Sequence, residues 1–422
     1  MENYSSFLND LKQLISFESV LATPKKDMPF GEGVYNALNW FLHKAQSFGF
    51  QTINYNNYIG EVVFGEGEEI GIIGHLDVVP VGGGWETDPF TLTEKDGYLY
   101  GRGIMDDKGP LLLCLYILKE LKDSGKLPTK KFRLIVGCNE ESGWQDVEYL
   151  ATKSHFPKYG FSPDGNFPIS YAEKGMAIVE FTIPKLKNFS LVSGGTVINA
   201  VCGEATAVPN EKGIDQTLLA KRNLTLKDGK IVAIGKSAHG STPRLGINAI
   251  KLLFDYFLDM GEDVKDVIDC LFNDRENIFG MQNEQGTVTF SPDIITQDDQ
   301  KIIIKCDCRF PYPFTFEDVK QKFDKFNIDY TYQIKHPTQY VEKEGDFVST
   351  LLNAYNSVTK ENATPLSQGG STFARVFEKG CAFGPEFEGH DNAIHQPNEH
   401  VLIDDLLKMY QIYKNAIFAL SK

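Results

Sequence analysis

Two short apolar runs, Ile70-Gly71-Ile72-Ile73-Gly74 and Phe132 to Cys138, each stop where polar side chains with chemistry begin. The first delivers His75 and Asp77, and the second ends just before Glu140 and Glu141. Runs this short and this rich in Ile, Val and Phe read as buried strands. Between them, Asp106 to Asp123 reads as a helix with Leu111, Leu112, Leu115, Ile117 and Leu118 spread over much of its surface, and Gly125 marks its end. A helix so broadly apolar needs a sheet to cover it. Strand, helix, strand in this order predicts an α/β fold, and such folds gather their ligands at the carboxyl ends of the strands.

A chain of 422 residues is long enough for more than one core, and two domains are expected. Helical spacing covers 5–15 and Val34 to Phe48, and short strands are expected at Gln51 to Asn56 and Ile59 to Phe64. From about Lys174 the texture changes. Strands are expected at Met176 to Ile183, Val197 to Val208 and Ile231 to Ile234, with a charged loop around Pro209 to Gln216. Helices are expected at Asp215 to Arg222 and Leu245 to Met260, and strands again at Gly286 to Phe290 and Lys301 to Arg309. Helical periodicity returns at Asp346 to Val358 and Ile403 to Leu420. The chain thus reads as a first domain in two parts, 1–173 and 335–422, interrupted by an inserted α+β domain at 174–334.

With 57 acidic against 42 basic residues, a formal charge of -15 and no basic block, a nucleic-acid partner is not expected. No apolar run approaches the ~20 residues that cross a bilayer, and the first residues lack a signal-peptide pattern, so a soluble cytoplasmic protein without a membrane partner is expected. Seven scattered cysteines do not form a disulfide framework. Cys306-Asp307-Cys308 follows Ile302-Ile303-Ile304 and reads as strand packing rather than a metal or redox site.

His75 and Asp77, two apart on an extended strand end, point to the same side, so that one can hold a metal while the other orients it. Asp106 falls at the expected start of a helix, where a carboxylate is favoured. Glu141, Asp164 and His395 could supply further oxygen and nitrogen ligands. Five ordered motifs carry a resemblance that spans nearly the whole chain. They are Gly74-His75-Leu76-Asp77-Val78-Val79-Pro80, Gly101 through Gly109, Asn139-Glu140-Glu141-Ser142-Gly143, Ser162-Pro163-Asp164, and Ile394-His395-Gln396-Pro397-Asn398-Glu399. They resemble the signatures of the co-catalytic metallopeptidases that include aminoacylases, carboxypeptidases, desuccinylases and bacterial dipeptidases. The resemblance implies a zinc-peptidase-like catalytic domain with a central mixed sheet flanked by helices, and an inserted lid domain.

It also implies two divalent metal ions, one held by His75, Asp106 and Asp164 and the other by Asp106, Glu141 and His395, with Asp106 shared. Such a pair can activate one water and polarise a scissile carbonyl. Zinc suits the ligand mixture best, and manganese or cobalt is also compatible. His390 and His400 flank the last ligand, but the family pattern selects His395 ahead of Glu399; it likewise selects Asp106 over Asp107. Glu140 is then the general base, and Asp77 fixes the tautomer of His75.

In the inserted domain, Gly235 through Pro243 resembles the family's lid motif, which implies that His239 stabilises an oxyanion. Asn199 and Arg309 resemble lid positions that contact substrate, the arginine gripping a carboxylate. Gln368 through Arg375 resembles a pocket-lining loop of the catalytic domain, with Gly370 and Ser371 near the substrate terminus. Taken together the motifs look most like the bacterial PepV-type dipeptidases, which implies a small peptide substrate, with Xaa-His or beta-alanyl dipeptides included, and a monomer. The insertion is shorter than in the fuller dipeptidase pattern, and this leaves substrate length open. The rival readings are an N-acyl-amino-acid amidohydrolase or succinyl-diaminopimelate desuccinylase using the same metals, and a binding protein that has lost catalysis; intact Glu140 and ligands weigh against the latter.

Overall fold

The computed structural model describes residues 1, 3–210 and 214–422. Glu211 to Gly213, at the centre of the expected charged loop, lie outside the described residues. The chain forms two compact units. The first comprises Met1–Tyr171, Tyr340–Leu366 and Thr372–Lys422, and the second Ala172–Gln339 and Ser367–Ser371. Ser367–Ser371 is tied to the rest of the second unit: the Lys174 amide donates to the Gln368 carbonyl and the Arg309 Nη1 to the Gly369 carbonyl.

The first unit is built on a mixed sheet whose strands lie in the order Gln51–Tyr55, Ile59–Phe64, Lys130–Gly137, Glu68–His75, Tyr159–Ser162 and Lys379–Ala382. The last four run parallel to one another. Register places His75 opposite Gly137 and Ile72 opposite Phe161. Three neighbouring parallel strands therefore end together, and the residues that follow them, including Glu140 and Asp164, leave the sheet on the same edge as His75. This is the position from which an α/β sheet presents ligands.

The helix Lys108–Asp123 is buried without interruption from Lys108 through Leu118 and packs on the strand Glu68–His75 and the helix Ile403–Leu420. Complete burial of each such leucine contributes about 1.5–3 kcal/mol. The helix begins at Lys108, not at the expected Asp106, with Asp107 in the capping position. The backbone ahead of it is claimed by other partners: the Met105 and Asp106 amides donate to Glu399. Helices Tyr4–Ile15 and Glu32–Ser47 bury the apolar faces read from their spacing, Phe7, Leu11, Leu14 and Ile15 in the first and Val34, Ala37, Leu38 and Phe41 in the second.

The second unit is an eight-stranded antiparallel sheet. Its strand Gly175–Pro184 alternates strictly, with Ala177, Val179, Phe181 and Ile183 turned inward. That face forms one core with helices Ala249–Asp259, Lys265–Leu271 and Phe316–Phe323. Cys306 and Cys308 lie inside this core, and all seven cysteines are buried thiols. Of the expected strand Val197 to Val208 only the end is extended, in Glu204–Pro209; 197–203 belong to the loop that follows the strand Phe189–Gly194. Gly195 opens that loop, with φ +67° and an added Cβ only 1.9 Å from the Asp293 carbonyl oxygen. Among the described residues no helix is long and apolar enough to cross a membrane.

Candidate metal centre

The shared edge of the three parallel strands brings imidazoles and carboxylates together. His75 Nε2 lies 2.9 Å from Asp106 Oδ1 and 3.8 Å from Asp164 Oδ2. His395 Nε2 lies 2.8 Å from Asp106 Oδ2 and 3.1 Å from Glu141 Oε1. The Asp106 carboxylate therefore stands between the two rings, one oxygen toward each. Two overlapping triplets, His75 with Glu140 and Asp164 and His75 with Asp106 and Glu141, offer ligand atoms all within 4.8 Å of one another. Glu140 is thus as close to His75 and Asp164 as a ligand would be.

The donor set fits cations. His75 Nε2 and Asp106 Oδ1 are buried and have no hydrogen-bond partner among the described residues, although they face each other closely. Such atoms are costly unless something else satisfies them. The charges point the same way. Burial, reinforced by Asp106, raises the Asp164 carboxyl to about 8, and burial with Asp164 nearby pushes Glu140 and Asp107 well above the carboxylate range. Burial and Asp106 raise Glu141 too. Burial pulls the His395 ring down, but Asp106 and Glu141 reverse this and lift it to about 11. Burial likewise opposes the charged form of His75, yet Asp106 and Asp77 carry its pKa well above the usual value. Crowded acids that resist ionisation and imidazoles that hold protons are what a negative pocket shows before divalent charge enters it. Two closely spaced His/Asp/Glu clusters of this kind suit a dinuclear zinc or manganese site.

The turns that carry these ligands are tied by other carboxylates. Asp77 accepts the amides of both Glu140 and Glu141 at 3.1 Å. His75 Nδ1 is closer to the Asp77 backbone carbonyl, 2.9 Å, than to its carboxylate, 3.4 Å, so the side chain serves the neighbouring turn first. Asp146 accepts the amides of Cys138 and Asn139 at 2.6 and 2.9 Å. Four consecutive amides ahead of and within the glutamate pair are thus held by two buried acids. Asp107 accepts the His75 amide at 3.2 Å, and only a glycine at 74 admits it, since a Cβ there would meet Asp107 Oδ2 at 2.0 Å. Glu399, fully buried, accepts from Arg102 Nη1 at 2.7 Å and from the amides of Gly103, Met105 and Asp106 at 3.0, 2.9 and 3.2 Å. Sequence reading used Glu399 only to locate His395 and Asp107 only as a rival to Asp106. Asp146 it missed, and the one available signal was an acid at the start of a helix. His395 itself sits at φ 61°, a left-handed conformation uncommon outside glycine and often found at working sites.

The remaining sequence candidates lie in the second unit. The His239 loop is pinned by Gly240 N donating to the Asn199 carbonyl at 2.6 Å, and Asn199 N donates to Asp293 Oδ2 at 2.8 Å. His239 is exposed. Arg309 is 4% exposed; its Nε and Nη2 each lie 3.0 Å from Asp307 Oδ2, and its Nη1 donates to the Gly369 carbonyl at 2.5 Å. Most of its fork is therefore occupied within the unit. An added Cβ at Gly370 would meet nothing within 4 Å, whereas one at Gly369 would come within 2.9 Å of Ser241 Cβ. Ser371 is half-buried beside them.

A mixed sheet with an inserted β-rich lid-like domain, and paired metal-binding clusters on the sheet edge, defines a dinuclear metal-dependent peptidase. The chain belongs to peptidase family M20/M25/M40, whose sequence profile matches residues 71–419. It is 32% identical over 455 residues to a Beta-Ala-Xaa dipeptidase of Lactobacillus delbrueckii subsp. lactis, a match covering 99% of this chain and 96% of that one. In fold it is similar to the di-peptidase Dug1p of Saccharomyces cerevisiae (TM-score 0.61, 15% identity, 100% and 96% of the two chains). It is equally similar to the M20 family metallo-carboxypeptidase Sso-CP2 of Sulfolobus solfataricus (TM-score 0.61, 18% identity, 98% and 99%).

Proposed function

We propose that this peptidase is a dipeptidase of the PepV type that removes the N-terminal residue from small peptides, Xaa-His and beta-alanyl dipeptides among them. The observation that carries this reading is the Asp106 carboxylate standing between two imidazoles, with Glu140 beside it, in a chain 32% identical over nearly its whole length to a Beta-Ala-Xaa dipeptidase. His75, Asp106 and Asp164 would hold one ion and Asp106, Glu141 and His395 the other. When bound, the ions supply an activated water and polarise the scissile carbonyl.

Glu140 accepts the proton of the attacking water and returns it to the departing nitrogen. Its place beside His75 and Asp164, within ligand distance of both, puts it where the attacking water would be shared. Asp77 keeps Glu140 and Glu141 in place by holding their amides and backs the His75 ring. In the second unit His239 donates a hydrogen bond to the developing oxyanion, Asn199 assists it, and Arg309 reaches the substrate carboxylate through the N–H groups its internal contacts leave over. Gly370 leaves room for the substrate terminus beside Ser371. The chain works as a monomer, and its seven buried thiols suit the reducing cytoplasm.

Steady-state hydrolysis of Ala-His, beta-Ala-His and N-succinyl-diaminopimelate by the zinc- or manganese-loaded protein tests the reading. Turnover confined to the acylated substrate would replace it with the amidohydrolase reading.

A further inference from the structure

The His239 loop carries a contact that neither its motif nor its role in the reaction requires. Nδ1 of His239 lies 3.2 Å from the backbone N of Ser241, with the amide hydrogen directed at it, and 2.6 Å from Ser241 Oγ. A backbone amide can only donate. The Nδ1 atom facing it must then present a lone pair, and the hydroxyl on that same nitrogen must donate as well. With two donors on Nδ1, the proton of the neutral ring resides on Nε2. The opposite tautomer would set N–H against N–H at this separation.

We propose that Ser241 is a positioning residue that locks the neutral His239 ring as its Nε2–H tautomer, so that the ring meets the substrate as a hydrogen-bond donor. The loop is built to keep Ser241 where this happens. Thr242 N closes a turn on the His239 carbonyl at 2.9 Å, Val201 N donates to the Ala238 carbonyl at 2.9 Å, and Gly240 N is tied to Asn199. On its far side Ser241 packs on Gly369 so closely that any side chain there would collide with it. Gly369 is in turn fixed by Arg309. The consequence for catalysis rests on the proposed role of His239. An Nε2 lone pair would repel an oxyanion, while an Nε2–H binds it, so the wrong tautomer converts a stabilising group into a destabilising one. The tautomer itself does not rest on that role.

The test separates the two. The zinc-loaded protein, labelled with 15N-histidine, is examined by ring 15N–1H correlation above the titration range of the ring, with His239→Gln identifying the His239 signals among the eight histidines. Wild type is expected to show a pyridine-type Nδ1 and a pyrrole-type Nε2. In Ser241→Ala one donor is gone, the minority tautomer becomes visible, and kcat is expected to fall about 3- to 10-fold, the loss equivalent to one hydrogen bond, with KM within twofold. Ser241→Cys keeps a weaker donor and is expected to fall between. A protonated Nδ1 in the wild type overturns the proposal, and so does an unchanged kcat in Ser241→Ala when His239→Ala is impaired. If His239→Ala keeps full activity, the oxyanion role fails and the spectrum alone decides the tautomer.

Discussion

Replacing Glu399 by Gln removes one oxygen that accepts from two donors and puts an amide NH2 in its place. The carboxylate is fully buried and satisfies Arg102 and three backbone amides at once. Whichever way the new amide turns, one pair of donors faces a donor. If the carbonyl stays with Met105 and Asp106, the Arg102 guanidinium is stranded; it is 1% exposed, and its Nε and Nη2 already lack hydrogen-bond partners among the described residues, although it lies 5.2 Å from the Trp85 ring. Breaking a buried pair by removing one partner costs about 3–5 kcal/mol. In urea, with a slope of about 3 kcal/mol/M, the midpoint should fall by about 1–1.7 M. The assay is tryptophan fluorescence, because Trp40, Trp85 and Trp144, the three tryptophans of the chain, all belong to the first unit and report its unfolding separately from the second. The double variant Arg102→Met, Glu399→Gln should recover the part due to the stranded charge and keep a loss of about 1–3 kcal/mol for amides left without acceptors. A loss below 1 kcal/mol in Glu399→Gln would refute this account. So would a double variant that loses as much as the two single changes added together.

Glu140→Ala should retain both metals by elemental analysis while kcat falls about 10²- to 10⁴-fold, the usual contribution of a general base. Gly370→Ala should unfold at the wild-type temperature, since a Cβ there meets nothing, and any rise in KM for dipeptides then reports crowding of the substrate. Burial raises the Asp293 carboxyl to about 7 from its usual 3.8, so the folded second unit binds this proton over a range where the unfolded chain does not. Its contribution to stability is complete below pH 3.8 and is lost as pH rises toward 7; Asp293→Asn should flatten that part of a stability-against-pH profile, and an unaltered slope would contradict the raised value. Chelating the metals should abolish turnover and lower the thermal midpoint of the first unit, because Asp106, Glu141 and Asp164 are then left facing one another, and adding back zinc should reverse both effects.

The parts of the fold with local signals were readable in advance. The runs ending at His75 and Cys138 are largely apolar and the helix between them is apolar over most of its surface, and their order implied an α/β sheet with chemistry at one edge. Asp164 was different. Its strand, Tyr159–Ser162, has four residues, too few for any periodicity, and it is held by Lys379–Ala382 from the far end of the chain; only the Ser-Pro-Asp motif marked it. The helix Phe316–Phe323 announced itself through the capping box of Thr315 and Asp318 and was overlooked because its apolar stripe is short. The acids that hold the ligand turns were illegible for a physical reason: their partners are backbone amides, which carry no sequence signature, and Glu399 finds its own 296 positions away at Gly103. The expected strand Val197 to Val208 failed over its first half because apolar residues there cannot show that the chain has just left the sheet at Gly195, where the Asp293 carbonyl occupies the place of a side chain.

The ties among Asp77, Asp107, Glu399 and the amides they accept link the segments in series: Asp77 holds the Glu140–Glu141 turn, Asp107 holds the amide of His75, and Glu399 holds the loop that leads into the helix Lys108–Asp123. No one segment can therefore be retuned alone. Directed evolution that randomises a single loop to alter metal preference should yield mostly inert protein, whereas transplanting the interlocked segments together from a relative should carry the activity across.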